Sequence, residues 1–495
     1  MGIVFRQSIK TSIVTAFGAL LGLLIVYLSA HYIPKQELGY SRTLLYQAVI
    51  GSQLVLLGMH TTVYVFIHRY AEGDERRKVL ITLSLLMPVL VTLLCSVFYF
   101  LFKSTIVTWY QPQDIRFVSE YFGWLPFYTL CWGMITLLEQ YLNSQMKVAV
   151  SIFTREVILR VCNIALIFLF GYGYVDFSQF IAFSVLVHII PVGLMLWIAG
   201  YTEGFGLSFN TSLMSRDEYK AIGDFAVFHL FLNVSVSLLM YIDSVMLAAL
   251  DKTGMEAGAV YFVAQSVISI YQIPYRSLAP ASMPSINKAY ERGDMVAVKD
   301  MFSRSAMNIL IATVCVAAII IANLDNAVTV IGGTYDAIPK VVLILMIGRS
   351  FDMMTGLNNE LLSVSKYYRF NFYLSCFLVL AVVVLNYFFI PEWGIYGAAW
   401  SSTIALFLFN LAKLLFLWNK LRIQPFSIHT ITVLVLGGAV TVIGLKIPYI
   451  MNVYVDAIIR SSIIATSYIA FIILFKPSKD LQNYLLSVKT NRRLF

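Results

Sequence analysis

Hydrophobic segments of about 20 residues, the length at which a helix crosses the hydrocarbon core of a bilayer, recur from one end of the chain to the other. The polar intervals between them are shorter than the roughly 50 residues that a soluble domain needs. The pattern therefore predicts an all-α, polytopic membrane protein without an appended soluble domain. We expect about fourteen transmembrane helices, at residues 12–30, 44–66, 79–102, 118–142, 151–171, 177–200, 223–246, 258–280, 307–324, 337–357, 370–390, 397–418, 431–447 and 458–475.

The composition agrees with this pattern. Apolar residues make up 59% of the 495 and charged residues only 12%, against about 25% charged in soluble domains, and the mean hydropathy is +0.80. The basic residues are scattered through short intervals, which excludes a nucleic-acid surface. The five cysteines form no CxxC pair and the histidines no HExxH motif, so we expect neither a metal site nor a bound cofactor.

The distribution of lysine and arginine predicts the orientation in the membrane. An even number of spans puts both termini on one side, and most of the 35 basic residues fall in the intervals on that side. Because cytoplasmic loops carry the excess of basic residues, both termini are predicted to be cytoplasmic.

A weak internal repeat indicates two matched halves. At a constant offset of 219 residues, residues 27–30 align with 246–249 and residues 37–39 with 256–258. An offset of six helices restores the same orientation, as expected for two parallel six-helix lobes. We therefore expect an N-lobe over residues 1–205, a C-lobe over 206–422, and a final helix pair with a basic cytoplasmic tail over 423–495.

Charged residues inside the fifth predicted helix are candidates for binding an anionic substrate. Only ten residues, 161–170, separate Arg160 from the outer end of this helix, about 15 Å at helical rise, so Arg160 is expected near mid-bilayer. An arginine there without partner or water costs at least about 2.5 kcal/mol. We expect Arg160 and Arg155 to face a cavity as substrate contacts and Glu156 to act in coupling or gating. The alternative is an i,i+4 pair of Glu156 with Arg160 that only joins helices, with Arg155 reaching the cytoplasmic interface.

Three further charges lie inside predicted helices of the second half. Arg349 is a candidate substrate contact with Asp352 as its gate, although at i,i+3 the two residues also suit mutual neutralisation. Asp243 is a candidate for coupling transport to Na⁺ or H⁺, or else a solvated carboxylate in a periplasmic vestibule.

Two other charged residues, Glu139 and Lys413, are expected near the cytoplasmic surface, with their charged ends in the interface.

Seven loop and helix-packing segments stand out, at residues 28–40, 57–59, 241–247, 256–261, 284–286, 291–294 and 390–400. These segments resemble those of bacterial polysaccharide flippases, the Wzx-like branch of the multidrug/oligosaccharidyl-lipid/polysaccharide exporter superfamily. The resemblance implies a V-shaped, two-lobed transporter of the bacterial inner membrane. Such a protein moves an undecaprenyl-diphosphate-linked oligosaccharide from the cytoplasmic to the periplasmic leaflet by alternating access, for polysaccharide polymerase and assembly proteins to use.

Other functions fit the sequence less well. A lipid II flippase of the same superfamily ranks lower because basic residues are sparse along the first two predicted helices. A cation-coupled drug exporter would carry acidic rather than net basic charge in the fifth helix. A membrane glycan polymerase or ligase would ordinarily show a large periplasmic loop with catalytic arginines or histidines, and none is present. We therefore expect a transporter and not an enzyme.

Overall fold

The computed structural model describes residues 3–202, 204–332, 335–478 and 480. In these residues the chain folds into 21 α-helices and contains no β-strand, which confirms the all-α class. Most of the predicted basic tail, at 479 and 481–495, lies outside the described residues.

All fourteen predicted segments fall on helices, several of which are interrupted. Eight helices of the described residues are long and apolar enough to cross a membrane, and a bent pair, Lys35–Val55 with Met59–Arg69, adds a ninth; the chain is a multi-pass membrane protein. The helices are α1 (Ile3–Tyr32), α2 (Lys35–Val55), α3 (Met59–Phe66), α4 (Glu75–Leu101), α5 (Lys103–Val107), α6 (Ile115–Glu120), α7 (Trp124–Ser144), α8 (Val148–Phe153), α9 (Leu159–Gly171), α10 (Phe177–Leu186), α11 (Ile189–Gly200), α12 (Arg216–Leu250), α13 (Met255–Tyr271), α14 (Ile273–Glu291), α15 (Met295–Ala322), α16 (Leu324–Ile331), α17 (Ile338–Met354), α18 (Asn358–Val364), α19 (Tyr368–Leu421), α20 (Ile428–Lys446) and α21 (Val453–Phe475).

The chain divides into two compact units, Met1–Phe262 and Val263–Phe495. The boundary that the repeat suggests, between residues 205 and 206, lies inside the first unit, because α12 packs along α2 and α3. This packing is antiparallel: Tyr46 stacks on Tyr241 with ring centroids 5.0 Å apart, and Phe66 meets Phe225 at 5.3 Å. The division into two six-helix lobes stays a prediction of the repeat.

The second predicted span, 44–66, starts earlier and is broken. Helix α2 begins at Lys35, directly after Pro34, and the chain bends by 54° before α3. At the bend Gly58 has a φ of 78°, and a Cβ there would meet the backbone of Ala226 in α12. A left-handed conformation beside another helix backbone requires glycine. The expectation of one unbroken helix starting at residue 44 is therefore wrong.

In the second unit, α19 contains the two spans predicted at 370–390 and 397–418. They are separated at Gly394, whose φ of 56° and ψ of −134° are not helical. The final pair, α20 and α21, packs on α15 through a buried apolar cluster that includes Val440, Ile464 and Tyr468. Membrane helices gain stability from such close packing, since lipid supplies no hydrophobic drive between them.

Candidate functional site

A close approach of α1 to the fifth transmembrane segment forms the centre of the candidate site. Gly18 and Gly22 are one helical turn apart on α1, in the GxxxG spacing that lets membrane helices approach closely. A Cβ at Gly18 would lie 2.9 Å from Glu156 Cβ, and one at Gly22 would collide with the Arg160 guanidinium. These two glycines therefore make room for the charged side chains of the opposite helix.

The charged side chains form a continuous chain across three helices. Arg155 Nη1 lies 2.6 Å from Glu139 Oε2 of α7, and Arg155 Nε lies 3.2 Å from Glu156 Oε1. Glu156 also pairs with Arg160, and Arg160 donates a hydrogen bond to the Gly18 carbonyl of α1. The order is thus Glu139, Arg155, Glu156, Arg160 and the α1 backbone, with two positive and two negative charges.

A local change of helix type lies at this point. Residues Thr154–Ile158 form a π-helical turn between α8 and α9, and this turn contains Arg155 and Glu156. Single π turns inside α-helices occur frequently at functional sites. The wider turn changes the direction in which the residues before and after it project. Arg155 reaches Glu139 of α7, while Arg160 reaches α1.

The two cations are the more accessible members of this chain. The side chains of Arg155 and Arg160 are 36% and 28% exposed, while those of Glu139 and Glu156 are 11% and 18% exposed. An incoming anion can therefore reach the guanidinium groups more easily than a cation can reach the carboxylates.

The i,i+4 pair of Glu156 with Arg160, which the sequence offered as an alternative, is formed. Glu139 is buried at 8% exposure, so the expectation of an interfacial side chain was wrong for it.

In the second unit the predicted pair of Arg349 and Asp352 is loose. Arg349 Nη1 lies 3.9 Å from Asp352 Oδ2, and both side chains are partly exposed. Tyr271 of α13 makes a 2.8 Å hydrogen bond with Ser350 on the same helix as the pair. Because their own contact is long and both side chains are partly exposed, Arg349 and Asp352 remain available for further contacts.

Sequence reasoning missed a polar cluster around a buried lysine in the second unit. Lys413 is 1% exposed; its Nζ donates to Asn359 Oδ1 at 2.8 Å and lies 3.6 Å from the Phe409 ring centroid. Tyr275 donates to Glu360 Oε1 at 2.6 Å. The expectation that Lys413 extends to the interface is wrong. The available signal was its place in the apolar run 397–418, which contains no acidic residue.

Asp243 lies inside the first unit and is buried. It is 4% exposed and accepts a 3.0 Å hydrogen bond from the Tyr261 hydroxyl of α13. The alternative of a solvated vestibule carboxylate is therefore wrong. Its role in coupling stays a prediction. No group of three or more His, Cys, Asp or Glu residues within the described ranges is arranged to hold a metal ion.

The fold is similar to that of known transporters. No protein-family model matches the chain, and no curated protein matches it in sequence. Among solved structures, the lipid II flippase MurJ in an inward closed conformation matches with a TM-score of 0.75 and 15% identity, over 94% of this chain and 98% of that one. An inward-facing multidrug resistance MATE family transporter of the MOP superfamily matches at 0.65 and 14%, over 84% and 98%.

A further match is a MOP superfamily transporter from Pyrococcus furiosus, whose description reports a binding pocket of reverse polarity. Its TM-score is 0.54 at 15% identity, over 85% of this chain and 95% of that one. At these identities the likeness is one of fold. The chain therefore has the fold of MOP superfamily transporters.

Proposed function

We propose that this protein is a flippase for an undecaprenyl-diphosphate-linked oligosaccharide, which it moves from the cytoplasmic to the periplasmic leaflet by alternating access. The observation that carries the proposal is the charge chain from Glu139 to Arg160, with its two arginines more exposed than its carboxylates. A diphosphate cannot cross hydrocarbon unaided, so its carrier needs cations at membrane depth.

The paired state of the arginines fits a carrier better than a fixed binding site. Without substrate, Glu156 neutralises Arg160, which removes the cost of an isolated buried charge. A diphosphate that replaces Glu156 as the partner forms bidentate, charge-assisted hydrogen bonds with the guanidinium. When the substrate leaves, Glu156 takes its place again, so the site is never left with an unpaired cation. In this role Glu156 is the gating residue.

The lipid II alternative gains support from two observations. The structure of MurJ, described as a lipid II flippase, matches at a TM-score of 0.75. The sequence argument against this substrate was that basic residues are sparse along the first two predicted helices, but α2 begins at Lys35 and includes Arg42. Both substrates are polyprenyl diphosphates. We rank the polysaccharide precursor first on the resemblance of the loop segments, and complementation of strains depleted of either flippase separates the two.

The alternative of a cation-coupled drug exporter rests on the carboxylates inside the helices. Several neighbours in fold are MATE transporters of the MOP superfamily. Asp243 and Asp352 are the residues we propose for Na⁺ or H⁺ coupling, which serves a flippase and an exporter equally.

We place the protein in the bacterial inner membrane with both termini cytoplasmic, and propose that it hands its product to periplasmic polymerase and assembly proteins. No catalytic step is needed.

Transport in proteoliposomes tests the proposal. A fluorescent undecaprenyl-diphosphate-linked disaccharide is added, and its inner-leaflet fraction is read from the fluorescence that dithionite fails to quench. Arg160→Ala should slow exchange at least about tenfold, equivalent to ~1.4 kcal/mol. Arg116→Ala is the matched control, because that side chain is 90% exposed and pairs with Glu120 only at 3.8 Å.

A charge-free double variant separates substrate binding from helix joining. Glu156→Gln with Arg160→Gln removes both charges but keeps an N–H donor at position 160 for the Gly18 carbonyl of α1. If Arg160 only joins helices, this variant restores transport. If Arg160 contacts the diphosphate, it stays as slow as Arg160→Ala. Normal transport by Arg160→Ala would remove this residue from the mechanism, and no exchange by the wild-type protein would overturn the proposed function.

A further inference from the structure

Arg42 stands apart from the other arginines in the membrane-spanning helices of the first unit. It lies two turns into α2, about 10 Å from the start of the helix at Lys35. Its Nη2 donates to the Ser29 hydroxyl of α1 at 3.0 Å, and its guanidinium carbon lies 4.3 Å from the Phe262 ring centroid. The Nε atom is buried and has no hydrogen-bond partner.

Arg42 differs from the arginines of the charge chain because no carboxylate within the described residues neutralises its charge. Arg155 and Arg160 each pair with a carboxylate, as do Arg349 and Arg460 in the second unit. For Arg42 no ion pair is present in the part of the chain that the structure describes. A guanidinium cannot give up its proton to lower the cost of burial, so an anion beside it is stabilising.

Among the side chains that the structure describes in the first unit, Arg77 is also without a carboxylate partner, but it is buried and its setting differs. It lies in the first turn of α4, donates to Gln145 Oε1 at 2.9 Å, and packs against the backbone of the loop at Gly204. Its contacts hold a loop at the end of a helix. Arg42, in contrast, lies within the length of a transmembrane helix.

The surroundings of Arg42 suit an oxyanion. Ser29 is fully buried and accepts a hydrogen bond from Nη2, so it positions the guanidinium. The other N–H groups of the guanidinium are the donors for an anion. The Phe262 ring excludes water from one side of the charge, which strengthens an ionic contact because it lowers the local dielectric. Arg42 is only partly buried, so a ligand can still reach it.

Arg42 also lies at a different depth from Arg160. Both touch α1, Arg160 at Gly18 and Arg42 at Ser29, and α1 is one continuous helix over Ile3–Tyr32. Eleven residues of helix correspond to ~16 Å along its axis. The two cations therefore contact α1 at two levels, and Arg42 lies at the level closer to the turn between α1 and α2.

We propose that Arg42, positioned by Ser29, forms a second oxyanion-binding site for the transported lipid, at the α1–α2 end of the first unit. The inference rests on the proposed function, because a carrier that binds an anion at one level needs a second site to receive it further along. The oxyanion is either the diphosphate itself or an acidic sugar of the glycan, and both offer the same bidentate geometry to arginine.

Binding to the purified full-length protein in nanodiscs tests this site. The probes are undecaprenyl diphosphate, the same lipid carrying glucuronic acid, and undecaprenol as the neutral lipid. Arg42→Gln should weaken binding of an anionic lipid at least about tenfold and leave undecaprenol unchanged. Arg42→Lys should restore part of the affinity, Ser29→Ala should weaken it less, and Arg116→Gln is the exposed control.

The outcomes distinguish the diphosphate from the acidic sugar as the bound oxyanion. They also distinguish failure of this inference from failure of the proposed function. Weaker binding of both anionic lipids identifies the diphosphate, while weaker binding of the glucuronyl lipid alone identifies the acidic sugar. Equal loss for undecaprenol would show a structural role and overturn the site, as would unchanged affinity for all three probes. If Arg160→Ala blocks transport while Arg42→Gln alters neither binding nor transport, only this inference fails. If wild-type protein binds these lipids but does not move them, only the proposed function fails.

Discussion

At the scale of single residues, the structure separates charges that stabilise the fold from charges that serve transport. Asp456 and Arg460 of α21 are buried and fully satisfied. Arg460 Nε and Nη2 each donate to Asp456 at 3.0 Å, Nη1 donates to the Gly444 carbonyl, and Asn326 donates to Asp456 at 2.6 Å. Because every polar atom of the pair is already hydrogen-bonded, the pair has little capacity left to bind a ligand. We therefore assign this pair to the attachment of α21 to α16 and α20.

Removal of one member of this pair should destabilise the protein. Asp456→Ala leaves the Arg460 charge buried without its partner, at a cost of about 3–5 kcal/mol. We expect a clearly lower melting temperature in detergent, measured by intrinsic fluorescence. Asp456→Leu combined with Arg460→Met should recover most of the loss, since apolar side chains can replace a buried pair. A single variant that melts like the wild type would contradict this assignment.

The glycines of α1 give a second prediction at this scale. Gly22→Leu places a side chain where the Arg160 guanidinium lies, so Arg160 has to leave Glu156 and the Gly18 carbonyl. We expect transport to fall at least about tenfold while the protein is still made and inserted. Gly193→Leu is the control, because a Cβ at Gly193 meets no atom within 4 Å. Equal effects of the two substitutions would show that any bulk in these helices impairs transport.

At the scale of elements, the sequence predicted where helices lie better than how they are interrupted. All fourteen predicted segments fall on helices, because a long apolar run has few alternatives to a membrane helix. The start of α2 was missed because Lys35, Gln36 and Glu37 look like a loop, although Pro34 before them is a common helix start. The π turn at Thr154–Ile158 has no sequence pattern of its own. Its charges were predicted as candidates, but their order of pairing required coordinates.

The bend between α2 and α3 should depend on its glycine. Gly58→Ala forces a residue with a Cβ into a φ of 78° and against the backbone of Ala226. Strain of this kind costs of order 1–3 kcal/mol. We expect a lower melting temperature in detergent for Gly58→Ala and no change for Gly73→Ala, since a Cβ at Gly73 meets no atom within 4 Å. An unchanged melting temperature would mean that the two helices can separate freely at this point.

The cluster between α14, α18 and α19 connects three helices through polar side chains. Lys413→Met keeps the length and bulk of the side chain but removes the buried ammonium, so the fold should survive. If Lys413 serves the mechanism, transport should fall while the melting temperature is retained. Met also ends the hydrogen bond to Asn359, and Lys413→Gln, which can still donate, is the comparison for that loss. Full transport by both variants would leave Lys413 with a packing role only.

At the scale of the whole molecule, hydrogen bonds within the first unit sort its loops into two groups. Gln36 bonds to Asp114, and Asp114 in turn accepts from the backbone N–H of Met255, which joins the intervals after the first, third and seventh predicted spans. Arg76 bonds to Glu218, and Arg77 to Gln145, which joins the intervals after the second, fourth and sixth. This alternation is what consecutive membrane crossings require. It supports the number of spans up to the seventh without saying which side is cytoplasmic.

Single cysteines in a protein whose five native cysteines are replaced test the orientation predicted from the basic residues. Gly73, in the interval that carries Arg69, Arg76 and Arg77, should be cytoplasmic, and Lys252, in the opposite group, periplasmic. Both residues are exposed. An impermeant maleimide added to intact spheroplasts should therefore label Lys252→Cys and label Gly73→Cys only after lysis. The reverse pattern would invert the protein and place Arg42, not Arg155, nearer the cytoplasm. In that case a substrate entering from the cytoplasm would meet the unpaired arginine first and the charge chain second.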